Sequence, residues 1–152
     1  MSLEKIISYF KVAPIPNFSS TAFLILRLIA GAAFVLHGWG KIQNPFGWMP
    51  ATASVPPFLQ FLAAVSEFGG GIAWMLGLLT PLASFGLICT MAVASSMHAF
   101  VMKDPFVNQT GGTSYELALV YLGVSILLLA AGPGKFSLDA KIFGIKNTGP
   151  ML

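Results

Sequence analysis

Six ionisable side chains fall inside or beside long apolar runs: Arg27, His37, Lys41, Glu67, His98 and Glu116. Charge is costly in hydrocarbon, so such groups turn inward, pair with one another and mark functional sites. The residue types fit proton exchange and hydrogen bonding. Imidazole titrates near neutral pH, an ammonium only donates, and an ionised carboxylate only accepts. Lys41 follows His37 by four residues, so the two share a helix face. Arg27 precedes Lys41 by fourteen residues, which on a helix leaves them only about 40° apart. One polar stripe therefore runs down the first apolar segment, and Glu67 is the natural partner for a cation on it. Left unpaired at that depth, a carboxylate takes up a proton rather than staying charged. His37, Lys41, Glu67 and His98, with Trp74 as a stacking ring, are the candidate ligand-binding residues. Arg27, Glu67 and Glu116 form the expected buried charge network. Blander roles compete: an Arg or Lys paired with Glu can hold helices in register, Glu116 can complement a helix dipole, and His98 can be an interfacial histidine.

These residues must be positioned by membrane-spanning helices. A hydrocarbon core about 30 Å thick needs about 20 mostly apolar residues per helix. Four segments meet this need, near 21–38, 57–79, 81–102 and 115–131. Pro56-Pro57 and Pro81 open the second and third segments, where a first-turn proline loses no hydrogen bond. Gly132-Pro133-Gly134 ends the fourth. A polar lead of about twenty residues and the internal Arg27 argue against a cleavable signal peptide. The sequence predicts an all-α, antiparallel four-helix bundle over 20–134, flanked by tails at 1–19 and 135–152. The second and third helices form a tight hairpin. Gly69, Ala73 and Gly77, and then Gly86, Thr90 and Ala94, are expected to let helices approach closely. Leu3, Ile6, Ile7 and Phe10 have the spacing of a short helix lying on the membrane surface.

The composition agrees. Of 152 residues, 56% are hydrophobic and 9% charged, against about 25% charged in ordinary soluble domains. The net charge of +3 is too sparse for a nucleic-acid footprint. Lys5, Lys11, Lys135, Lys141 and Lys146 lie in the tails, and only Lys41 and Lys103 in the longer links, so both termini are expected in the cytoplasm. Glu67, His37, Lys41, His98 and Glu116 then lie toward the outer half of the bilayer and Arg27 toward the inner half. The single cysteine, Cys89, excludes an intramolecular disulfide and argues against a cysteine-held iron–sulfur cluster. No metal site is expected.

The order Arg27…Gly31…His37-Gly38…Lys41, then Glu67-Phe68-Gly69-Gly70-Gly71 with Leu76-Gly77-Leu78-Leu79-Thr80-Pro81, then His98, Glu116 and Gly132-Pro133-Gly134, resembles the DoxX family over about residues 20–140. The resemblance implies a four-helix bacterial inner-membrane protein. Members are often labelled oxidoreductases, through relatives in a thiosulfate:quinone oxidoreductase or linked to thiol stress and quinone detoxification. It implies no catalytic assignment.

Three classes of function follow. In the first, the chain is a membrane redox subunit that binds a quinone or related lipophilic carrier. Histidine and a protonated Glu67 would supply protons, and Trp39 or Trp74 would stack on the ring. A variant, with little else to support it, has His37 and His98 ligate a haem. The second class is a non-enzymatic partner or assembly subunit of a larger membrane redox complex, or a homo-oligomer, with structural buried charges. The third is a small transporter, against which no inverted repeat is visible.

Overall fold

The computed structural model describes residues 3–53 and 55–146. The first two residues of the expected N-terminal tail and the last six of the C-terminal tail lie outside them. The helices are α1 (Leu3–Phe10), α2 (Asn17–Gln43), α3 (Pro57–Leu76), α4 (Thr80–Ser96), α5 (Glu116–Ala131) and α6 (Leu138–Ile142). A π-helical turn, Met97–Val101, continues α4. Among the described residues there is no strand, only an isolated parallel bridge between Val12 and Ile145.

Three helices are long and apolar enough to cross a bilayer: Asn17–Gln43, Pro57–Leu76 and Thr80–Val101. The fourth apolar helix, α5, has 16 residues, or about 24 Å at 1.5 Å per residue. It runs to Ala131, and Gly132, at φ 77, ends it where the sequence indicated. α2 is longer at both ends than the pattern indicated, because Asn17–Ser20 and Trp39–Gln43, which mix polar and apolar residues, continue the helix. Outward-facing side chains are apolar: Ile29 is 68% and Leu36 77% exposed. The inward core is Phe34, Trp74, Leu87, Met91 and Leu128.

α2 packs on α3, α3 on α4, and α4 on α5. The α2–α3 contact is made by glycines. A Cβ on Gly31 would stand 2.7 Å from the Gly71 carbonyl oxygen, and one on Gly38 2.5 Å from the Phe68 nitrogen. The ridge is therefore Gly31, Gly38 and Gly71. The row read from the sequence, Gly69–Ala73–Gly77, is not that ridge: Gly69 meets only Val65 of its own helix, and Gly77 caps α3 in the left-handed region, at φ 64. Gly86 does face α3, against Ser66.

The C-terminal segment folds back rather than trailing away. The amides of Leu79 and Thr80, at the start of α4, donate to Asp139 Oδ1 at 2.7 Å and Oδ2 at 2.9 Å. The Asp139 amide in turn donates to the Gly77 carbonyl. A buried carboxylate from α6 thus caps a helix sixty residues away, where the helix dipole favours negative charge. Arg27, fully buried, donates to the carbonyls of Trp74 and Phe136. Val12 and Ile145 tie the two terminal segments together.

Two consequences can be measured by thermal unfolding in detergent. Gly31→Ala and Gly38→Ala, which overpack a backbone contact, should each cost about 1–3 kcal/mol, whereas Gly123→Ala, with open space around it, should be neutral or slightly stabilising. Asp139→Ala should destabilise by about 1–3 kcal/mol through buried amides left unsatisfied, although Asp139 lies beyond every apolar helix.

Candidate functional site

The ionisable residues of the sequence sort to two ends of the molecule. At one end Lys41 Nζ donates to Glu67 Oε1 at 2.6 Å and Oε2 at 2.7 Å. The Glu67 side chain is 3% exposed and that of Lys41 25%. α2 and α3 bring them together because the glycine ridge closes the helices just below them. An ion pair this buried repays its desolvation only when geometry and hydrogen bonding are good, and two short bonds from one ammonium meet that condition.

Arg27 is at the other end, with Trp74 and Phe136. It is not brought to Glu67, which corrects the expected Arg27–Glu67–Glu116 network. Lys41 rather than Arg27 meets Glu67. Glu116 is exposed in the first turn of α5. Trp74 is also displaced from its expected place. It is fully buried in the core, donates to Ser84 Oγ at 3.0 Å and meets Phe34 edge-on. Trp39 is exposed against Phe68.

The aromatic ring at the ion pair is Trp48. Lys41 Nζ lies 4.6 Å from its centroid, within cation–π range. The loop that carries Trp48 is held by Gln60, whose backbone carbonyl accepts from Trp48 Nε1 and whose side chain bonds Met49 N and the Val55 carbonyl. Sequence reasoning did not select Trp48. Its signal was a tryptophan seven residues beyond a lysine, at a spacing that means nothing until the loop folds back.

Two cavities meet at the Lys41–Glu67 pair. The larger, about 450 Å³, lies between α3 and α4. Thr90 and Ala94 line its α4 wall, and Gly86, also on that wall, approaches Ser66 of α3. Its outer rim carries Leu59, Leu62, Phe85 and Val93, all exposed on the apolar flank. The smaller, about 190 Å³, also touches both charged residues and is lined by His37, His98 and Tyr121. So His37, Lys41, Glu67 and His98 are brought around one small space, and Trp74 is not. His37 stands beside Tyr121, 6.4 Å between ring centroids.

His98 is carried on the π-helical turn, closed by Met102 N donating to the Met97 carbonyl at 2.9 Å. Such turns are rare and concentrate at functional sites. Beyond it Lys103 adopts φ 58, and the chain doubles back so that His98 Nδ1 and Asp104 Oδ2 lie 2.6 Å apart. Asp104 Oδ1 accepts from the Thr113 hydroxyl at 2.8 Å. These bonds, first that from His98 and then that from Thr113, hold the Asp104 carboxyl below the ordinary carboxylate value. Among the described residues no group of three or more His, Cys, Asp or Glu is arranged to hold a metal ion.

Comparison with known proteins places this arrangement in a family. The DoxX family model matches residues 22–102. The chain is 31% identical to "Inner membrane protein YqjF" of Escherichia coli over 119 residues, covering 76% of this chain and 88% of that protein. It is 28% identical to "Putative oxidoreductase CatD" of Bacillus subtilis, over 83% of this chain and 90% of that one. An uncharacterized protein of Haemophilus influenzae is 32% identical over 78% of this chain and 88% of its own length. No solved structure matches. With apolar helices long enough to cross a bilayer and a family match over more than half its length, this chain is a membrane protein that belongs to the DoxX family.

Proposed function

We propose that this protein binds the head group of a lipophilic quinone at the Lys41–Glu67 pair, as part of a membrane redox system. In this reading the four apolar helices cross the inner membrane as one antiparallel bundle. Both termini are cytoplasmic and the ion pair lies in the outer half. The lysine distribution supports the orientation, and the name of the Bacillus subtilis relative supports the redox association.

One observation carries the proposal: an apolar cavity of about 450 Å³, edged by lipid-facing side chains, ends on a single buried ion pair under a tryptophan ring. Small-molecule sites are typically of this size, mostly apolar with a few placed polar groups. The chemistry matches both redox states. An ammonium has three protons, and Glu67 takes two donor directions of Lys41. A third remains for a quinone carbonyl. A carboxylate has about four acceptor sites, so Glu67 can also accept from a quinol hydroxyl. The isoprenoid tail leaves between α3 and α4 past Leu62 and Phe85. The ring stacks on Trp48. Electrons reach the quinone from another component of the system, and this chain contributes binding, orientation and proton exchange.

Titrating the full-length protein in detergent with decylubiquinone, and following tryptophan fluorescence, tests this. The emission should quench saturably. Trp48→Phe should remove most of the quenching and Trp39→Phe should not. Glu67→Gln and Lys41→Met should each weaken binding about tenfold or more, as expected for a lost hydrogen bond to a charged group. A wild-type titration with no saturable quenching would sink the proposal.

A further inference from the structure

The Lys41–Glu67 pair has a second neighbour that the binding of a head group does not use. The smaller cavity leads from it to His98, and His98 is tied to Asp104 in the loop beyond the membrane span. We infer that His98, positioned by Asp104, is the port through which Glu67 exchanges protons with water. Its use in quinone chemistry rests on the reading of Lys41–Glu67 as a head-group site; the port itself does not.

Four observations converge. First, Glu67 is shut off from direct exchange: its side chain is 3% exposed and both oxygens are held by Lys41. Second, His98 touches both sides. It lines the cavity that Glu67 also lines, yet its side chain remains 30% exposed. Third, the ring is fixed for transfer. With Nδ1–H donated to Asp104, the neutral imidazole must carry its lone pair on Nε2. Among the described residues Nε2 makes no hydrogen bond, so it is the nitrogen free to take up a proton. Fourth, the backbone departs from regular helix at this residue, with a π-helical turn under His98 and a left-handed Lys103 that returns Asp104 to the ring. Such departures persist where surrounding structure enforces them, often at functional sites.

The step is a proton transfer alone. His98 Nε2 takes a proton from water, and the resulting imidazolium is stabilised by the Asp104 carboxylate. Nε2 then gives that proton to a Glu67 oxygen, directly or through cavity water, and returns to the neutral ring. The reverse path releases a proton. Asp104 stays ionised throughout, in keeping with its lowered pKa, and is a positioning residue. The other titratable or charged groups around this space are His37 and Lys41 of α2 and Tyr121 of α5. Lys41 and Glu67 cancel each other's charge, so Asp104 is the anion left to stabilise the imidazolium, which without it would be harder to form.

Time-resolved infrared spectroscopy after a downward pH jump reads this directly, on the full chain in lipid nanodiscs with no ligand. The carboxyl band of Glu67 is assigned by its loss in Glu67→Gln. In the wild type it should rise promptly. His98→Ala should slow that rise about tenfold or more, the scale of a lost general acid–base group, and added imidazole should restore it. Asp104→Asn, nearly isosteric, should slow the rise less and move its pH dependence to lower pH. A purely structural role would not respond to imidazole. A wild-type rate in His98→Ala overturns the inference. So does a slowed rate that imidazole leaves unchanged while Asp104→Asn behaves as wild type. If His98→Ala does not fold, Asp104→Asn decides by the same two readouts, rate and pH dependence. Failure of decylubiquinone to bind would remove the head-group reading without altering these rates.

Discussion

A carboxylate that has left water can stay charged only with a cation beside it, and the buried Glu67 and half-buried Lys41 set the geometry of this end of the protein by that requirement. The pair joins α2 to α3 at short range. Ordinary side chains between α2 and α3 would hold their backbones farther apart. Gly31, Gly38 and Gly71 remove those side chains at and below the pair. On the other side of the pair a cavity opens between α3 and α4, with Thr90 and Ala94 on its α4 wall.

The far end is governed by a different pairing of charge with helix ends. Arg27 donates to the Trp74 carbonyl in the last turn of α3, and Asp139 accepts from the first amides of α4. A cation at a helix C-terminus and an anion at an N-terminus each match the local dipole. The turn between these helices is tight, with Gly77 and Leu79 both in the left-handed region. Its exposed backbone groups would otherwise be orphaned in a poorly hydrated place. Two side chains from distant parts of the sequence supply the missing partners. The geometry of this polar cluster is accounted for by the turn it secures.

Much of this was legible in the sequence. Pro57 and Pro81 mark helix starts, the apolar runs mark the helices, and residue type alone singles out His37, Lys41, Glu67 and His98 within or beside those runs. What could not be read depended on depth or on loops. Arg27 and Lys41 lie on one helical stripe, and periodicity alone cannot choose between them as the partner of Glu67. Trp74 sits in an apolar helix and Trp48 in a proline-rich loop, yet the loop residue reaches the ion pair because Gln60 ties the loop down. Asp139 was one acid in a polar segment, with no local pattern to say that it caps a remote helix. The π-helical turn has no sequence signature here, because Met97–Val101 reads as more of the same helix.

The placement of the pair bears on why charge is kept there at all. Replacing a buried ion pair with well-packed apolar residues is often neutral or stabilising, so stability alone is a weak reason for Lys41 and Glu67. If they served only to register two helices, no cavity would be expected beside them. Instead they form the wall between two cavities, one facing the apolar flank and one bearing two histidines. A wall made of apolar side chains would separate the same two spaces, but neither hydrogen bonds nor protons could be offered across it. An ion pair can offer both, because a donor and an acceptor stand side by side and each has capacity beyond the bonds they share. The glycine ridge, the Trp48 strap and the His98–Asp104 contact all converge on that pair from separate elements. Their common dependence on it identifies the part of the fold that the rest is arranged to hold.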